Sequence, residues 1–149
     1  MILSPELVKE LVEKKVAFVE RMRLSAVEMR PCYAKLAAPL KGNENHVGGM
    51  YAGALFTLAE MPGGALFLTT FDMTKYYPIV KEMNVQFRRP ALSDCTVEVS
   101  ISESEADRIR DEADKNGKAE FILEAEIKDQ SGEVVARSRG IYQIRAIGN

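Results

Sequence analysis

Glu60 lies inside the longest apolar run of the chain, Asn45–Thr70 (NHVGGMYAGALFTLAEMPGGALFLTT), and past His46 it is the one clear ionisable group there. A carboxylate in an apolar segment is costly unless it is paired, solvated or used. Its possible use is acid–base or nucleophilic chemistry. Gly53 stands seven residues earlier, and on an α-helix that step returns to the same face roughly 10 Å away along the axis. The start of such a helix, with Gly48, Gly49 and Gly53, offers open backbone N–H groups and the positive dipole end. Both suit a carbonyl oxygen that gains negative charge. One helix cannot apply both groups to one carbonyl. Two antiparallel helices across a two-fold axis can, so the spacing asks for a site shared between two copies. A purely structural reading stands beside this one. Glu60 would then pair with Arg88, Arg89, Arg137 or Arg139, Asn45 would be a turn or helix-entry residue, and His46 a loop surface residue.

Composition narrows the chemistry further. The chain has 149 residues, 46% hydrophobic and 28% charged, with a formal net charge of -2. That is the make-up of one globular domain, residues 1–149, with no electrostatic pull toward nucleic acid. A single histidine rules out a His-rich metal site, and Cys32 and Cys95 fall in no metal or redox spacing. No signal peptide is evident, so a cytoplasmic location is expected. Walker, dinucleotide-binding and nucleophile-elbow motifs are all lacking. Met50–Phe71 has the length of a membrane span, but Glu60 and Pro62-Gly63-Gly64 interrupt it and no basic flank orients it. It reads as a buried core helix instead, kinked or ended near Pro62.

The remaining elements must position that helix. Ser4-Pro5-Glu6 caps an amphipathic helix running to about Met22 on Val8, Leu11, Val12, Val16 and Val19. Leu24–Leu40 reads as a strand, interrupted or bulged near Pro31, and Lys41–Asn45 as loop. Past Phe71 the period becomes two. Met83, Val85 and Phe87 alternate with polar residues up to Pro90, as do Val97, Val99 and Ile101, and then Phe121, Leu123, Ala125 and Ile127. Asn116-Gly117 signals a hairpin, Asp129–Gly132 a four-residue turn, and Glu133–Ala146 a last strand. Charged Glu103–Lys115 fits a twisted strand end or a short exposed helix, and extended edge structure is the favoured reading. The sum is an α+β fold, a curved antiparallel sheet whose apolar face is covered by the helix beginning near Gly49.

Asn45-His46-Val47-Gly48-Gly49-Met50-Tyr51-Ala52-Gly53, with Glu60 seven residues on, resembles the signature of hotdog-fold thioesterases of the 4-hydroxybenzoyl-CoA and phenylacetate-pathway branch. Their pattern is N-x-x-G-x-x-H-G-G followed by Asp or Glu. Asn45, Gly48, Gly53 and Glu60 fall on it; Tyr51 stands where the family has His, and Ala52 where it has the first of the two glycines. The order of elements from Leu24 to Ile147, and Phe87-Arg88-Arg89-Pro90-Ala91 after the helix, are similar too. The resemblance implies a hotdog fold with an extra N-terminal helix, acting on acyl-CoA or an acyl carrier protein as a homodimer or homotetramer. Coenzyme A would enter as part of the substrate, with no metal or resident cofactor. Glu60 would be base or nucleophile, Gly53 N–H the oxyanion donor, and Asn45 a holder of water or carbonyl. Thr57 would bond Glu60 or the water, Tyr51 would stand in for the histidine, and Gly48 and Gly49 would shape the substrate site. Arg88 and Arg89 would meet the phosphates of coenzyme A. Met61, Leu66, Phe67 and Met83 would set the depth of the acyl tunnel.

Two other functions fit the same residues. A hotdog dehydratase or hydratase pairs a loop His with a helix Glu fourteen residues on, as His46 and Glu60 are spaced, although its proline-rich surround is lacking here. A hotdog protein that binds acyl thioesters without turnover would accommodate the Tyr51 and Ala52 departures.

Overall fold

The structure, a computed structural model, describes residues 1–148. Helix α1 spans Pro5–Lys14, with Ser4 Oγ accepting the Leu7 N–H at 3.2 Å, Pro5 in the first turn and Lys14 in the last. The predicted single N-terminal helix is in fact two. Val16 adopts extended backbone, and a short α2, Ala17–Arg21, follows it. Val8, Val12 and Val19 are buried as the periodicity predicts, whereas the break leaves Val16 at 46% exposure and turns Phe18 outward.

Leu24–Leu40 is likewise two strands, β1 (Ser25–Arg30) and β2 (Tyr33–Ala38), paired antiparallel with Arg30 opposite Tyr33. Of the two expectations at Pro31 the interruption holds, as a hairpin turn, and Cys32 there takes a left-handed φ of 65°. A bulge does occur in β1, between Ala26 and Glu28.

Helix α3 runs unbroken from Ala52 to Thr70, straight through Pro62. The proline deprives the Leu58 carbonyl of its usual donor, but packing holds the helix together. Leu55, Leu58, Ala59, Ala65 and Leu66 are buried. By length and composition α3 could cross a bilayer, yet 56% of that window is buried inside the fold.

Strands β3 (Tyr76–Phe87), β4 (Cys95–Ser100), β5 (Lys118–Asp129) and β6 (Val134–Ala146) complete one antiparallel sheet, in the order β1-β2-β4-β5-β6-β3. This is the hotdog fold, a curved sheet around the central helix α3. Strand β3 begins seven residues before the alternating stretch at Met83 and is exposed on both faces along much of its length. Met83 and Val85 are half-buried, and Phe87 is turned to solvent.

The charged segment before β5 corrects the sequence reading. It forms helix α4, Glu103–Asn116, rather than extended structure. Ser102 Oγ caps it by accepting the Glu105 N–H at 3.0 Å, and Ala106, Ile109 and Ala113 bury a stripe at helical spacing. Its outer charges pair along the helix, Arg108 with Glu112 at 2.7 Å and Arg110 with Asp107 at 2.7 Å. Gly117 is the C-terminal cap of this helix, at φ 82°, and not the corner of a hairpin.

Candidate active site

The loop before α3 is shaped by two asparagines. Asn45 Oδ1 accepts the N–H groups of Val47 (2.9 Å) and Gly49 (3.1 Å), while its own N–H donates to the Gly49 carbonyl at 2.7 Å. Gly48 supplies the φ of 92° that closes the turn, and its N–H donates to the Asn45 carbonyl at 3.2 Å. The N–H groups of Gly48 and Gly49 are therefore already engaged, and these residues build the loop. Asn45 Oδ1 is engaged as well.

Asn43, which the sequence offered only as loop, anchors the other side. Its Nδ2 donates to the carbonyls of Met22 and Pro39, both at 2.8 Å, and its own carbonyl accepts the Tyr51 N–H at 2.8 Å. Met50 N–H donates to the Ala91 carbonyl at 2.8 Å. The start of α3 is thus tied to α2, to the end of β2 and to the loop after β3. The one hint of Asn43 in the sequence is its place in a Gly-Asn turn pair.

Tyr51 is the N-cap and provides no side-chain cap bond; its carbonyl accepts the N–H groups of Ala54 and Leu55. The N–H groups of Ala52 and Gly53 have no hydrogen-bond partner among the described residues. Of the three donors expected at the helix start, Gly53 alone is open, Gly48 and Gly49 are not, and Ala52 joins Gly53 instead. The Tyr51 ring lies over Gly53, where an added Cβ would come within 2.4 Å of it.

Glu60 lies two turns farther along, half-buried. None of the four arginines pairs with it. Arg89 pairs with Glu133, Arg137 with Glu126 (3.1 Å) and Arg139 with Glu124 (3.7 Å), and Arg88 reaches the Gln86 side chain at 3.4 Å. The Glu60 carboxyl forms no ion pair and accepts no hydrogen bond among the described residues. Burial alone pushes its pKa above the ordinary carboxylate value. Thr57 shares its face of the helix, but the Thr57 hydroxyl donates to the Gly53 carbonyl at 2.8 Å rather than to Glu60.

The Glu60 backbone is fixed from the sheet. Tyr142 Oη on β6 donates to the Glu60 carbonyl at 3.0 Å, and Gly63 leaves room for the Tyr142 ring. Burial, followed by the Glu60 charge, raises the pKa of Tyr142, so the hydroxyl remains a donor. Nothing in the sequence marked Tyr142 beyond its place in an alternating strand.

Arg88 and Arg89 do approach the start of α3. With Asn45, Met50, Ala52 and Leu55 they line a recess of about 340 Å³. His46 is exposed on the loop. Leu66 and Phe67, expected to line a tunnel, are sealed in the core at 0% and 1% exposure, whereas Met61 and Met83 are half-buried.

The family described as a domain of unknown function, DUF4442, matches residues 4–142. The chain belongs to this family. A Pseudomonas aeruginosa protein of unknown function, described as a probable thioesterase, is 53% identical, with 98% of each chain covered and a TM-score of 0.94. A Chlorobaculum tepidum protein of unknown function is similar at 22% identity, with 94% of this chain and 93% of that one covered and a TM-score of 0.84. A Haemophilus influenzae thioesterase has 12% identity, a TM-score of 0.76, and coverage of 100% of this chain and 95% of its own. The last two speak for the fold alone. No curated protein matches the sequence. Within this DUF4442 member, the elements that converge on α3 are those of a thioesterase-like hotdog protein.

Proposed function

We propose that the protein hydrolyses acyl thioesters of coenzyme A or an acyl carrier protein. The observation that carries this reading is the pairing of two open functions on one helix: donors without acceptors at Ala52 and Gly53, and a desolvated carboxylate without a cation at Glu60. Glu60 takes a proton from water as the water oxygen attacks the thioester carbon. The carbonyl oxygen, now negative, rests on the Gly53 and Ala52 N–H groups. Collapse re-forms the C=O bond, breaks the C–S bond and releases the thiolate, which recovers a proton from the Glu60 carboxyl. Asn45, Gly48 and Gly49 hold the donors in place, Thr57 keeps the first turns of the helix, and Tyr51 covers Gly53. The recess lined by Arg88 and Arg89 suits the phosphates of coenzyme A.

Because Glu60 and the donors of one chain are roughly 10 Å apart along the axis, the working unit is a two-fold dimer, alone or within a tetramer. Two features support this. The stripe of α3 carrying Gly53, Phe56, Thr57, Glu60, Gly64 and Leu68 is not covered by the chain's own sheet, and Phe56 is 41% exposed there. Strand β3 is an open sheet edge with apolar side chains at Tyr77, Val80 and Phe87. With Cys32 and Cys95 both free thiols, the reading is that of a cytoplasmic protein.

Release of free thiol from a panel of acyl-CoAs tests the proposal. Wild type is expected to turn over, and Glu60→Gln to lose about 10²–10⁴-fold in kcat. Full activity in Glu60→Gln would remove Glu60 from the chemistry. Hydration of an enoyl-CoA that His46→Ala abolishes, with no thioester cleaved, would make the protein a hydratase instead.

A further inference from the structure

The start of α3 has a recess on its other side as well. It measures about 300 Å³ and is lined by Phe18, Arg21 and Met22 of the α2 segment, by Asn43 and Glu44 of the loop, and by Tyr51 and Ala54 of α3. Phe18 stands on the short helix that follows the break at Val16 and is 48% exposed there. The Arg21 guanidinium lies 5.9 Å from the Phe18 ring centroid and steadies this wall. Among the polar groups of the recess, Arg21 lies against the Phe18 ring without an ion pair among the described residues, while Asn43 and Glu44 are engaged. Glu44 accepts the Gly42 N–H, and both Asn43 donor bonds go to carbonyls. What remains open to a ligand is the apolar surface of Phe18, Tyr51 and Ala54, with the Arg21 guanidinium beside it.

The open N–H groups of Ala52 and Gly53 therefore sit between two unlike recesses, one flanked by Arg88 and Arg89 and one walled by Phe18 and Tyr51. We propose that the Phe18–Tyr51 recess is the acyl subsite, that it takes a short apolar acyl group, and that Phe18 sets the accepted length. This rests on the thioesterase reading. A carbonyl on the helix start has its two substituents pointing to opposite sides; one side carries two guanidinium groups for the phosphates, whereas on the other the single Arg21 shares the recess with Glu44. The recess is also at the small end of ligand-sized sites, which favours a short acyl group over a long chain.

The test uses the full chain and acyl-CoA thioesters graded from two to twelve carbons, for turnover, with thioether analogues of the same lengths for calorimetric binding. Wild type is expected to prefer the short members in both. Phe18→Ala should weaken the preferred member about tenfold and shift the optimum to longer chains, and Phe18→Trp should shift it shorter. Phe18 is half exposed, so both variants should fold, which a thermal melt checks. Thioesters of pantetheine alone should lose affinity equally in all three proteins. A length profile unchanged by either substitution overturns the acyl subsite even if wild type hydrolyses thioesters. A Phe18-dependent profile in analogue binding without turnover keeps the subsite and overturns hydrolysis. No binding of any analogue overturns both.

Discussion

Glu60 carries a thermodynamic consequence that can be checked without a substrate. Its folded-state pKa lies above the unfolded value because burial disfavours the charged form. The sign follows from linkage: its contribution to stability is most favourable below the ordinary carboxylate value and is lost as pH rises through the raised one. Replacement by glutamine removes the buried charge. Glu60→Gln should therefore melt higher than wild type at about pH 7.5, by a few degrees. The gap should close as the pH falls below the unperturbed glutamate value of about 4.3. A variant less stable than wild type at neutral pH would mean that the carboxylate has a partner in the folded protein. A function bought at a cost to stability is expected of a group held for chemistry. At this scale the sequence was informative where a residue type conflicted with its surroundings, as Glu60 did. It was less so where one side chain serves two plausible ends. Asn45 was recognisable, but whether its carbonyl faced a substrate or the Val47 and Gly49 N–H groups depended on loop geometry that no spacing encodes.

Among the elements, α3 shows why local rules misjudge a buried helix. Proline at position 62 predicts a kink or an end, yet the helix continues to Thr70, because sheet contacts on both sides of the proline outweigh one missing hydrogen bond. The same contacts make Gly63 indispensable. A Cβ there would come within 2.1 Å of the Tyr142 ring, which is buried and held by its bond to the Glu60 carbonyl. Gly63→Ala should cost about 1–3 kcal/mol, the usual range for overpacking, read as a lower midpoint in urea. Gly64, with open space around it, should accept alanine without loss. Equal destabilisation by the two would point to backbone strain instead of the tyrosine. Helix α4 was misread in the opposite way. Its high charge obscured the Ala106, Ile109 and Ala113 stripe, and Asn-Gly at 116–117 imitates a hairpin corner whether it caps a helix or joins two strands. The long strands were legible because half-buried alternation has no helical counterpart.

For the whole molecule, the proposed thioesterase function makes the seven-residue step from Gly53 to Glu60 the mark of a site that one chain would not complete. Two inactivating substitutions on different halves of the shared site separate this from a self-sufficient monomer. Glu60→Gln removes the base. Gly53→Leu should drive the Tyr51 ring off the helix start and place bulk over the open N–H groups. In a two-fold dimer, a chain carrying either change spoils its half of one of the two sites and leaves its half of the other intact. Mixing the two variants in equal amounts, with subunit exchange, gives heterodimers in half of the population. Each heterodimer has one site built from two intact halves and one site damaged in both, so activity should return to about a quarter of wild type. Phe56→Glu, which puts a charge into the uncovered stripe of α3, should abolish this recovery and shift the sedimentation coefficient toward the monomer. Inactive variants that remain inactive on mixing, while exchange is verified by a labelled subunit, would return both functions to one chain. The unbroken helix between Gly53 and Glu60 would then have to deliver the base through a chain of water molecules.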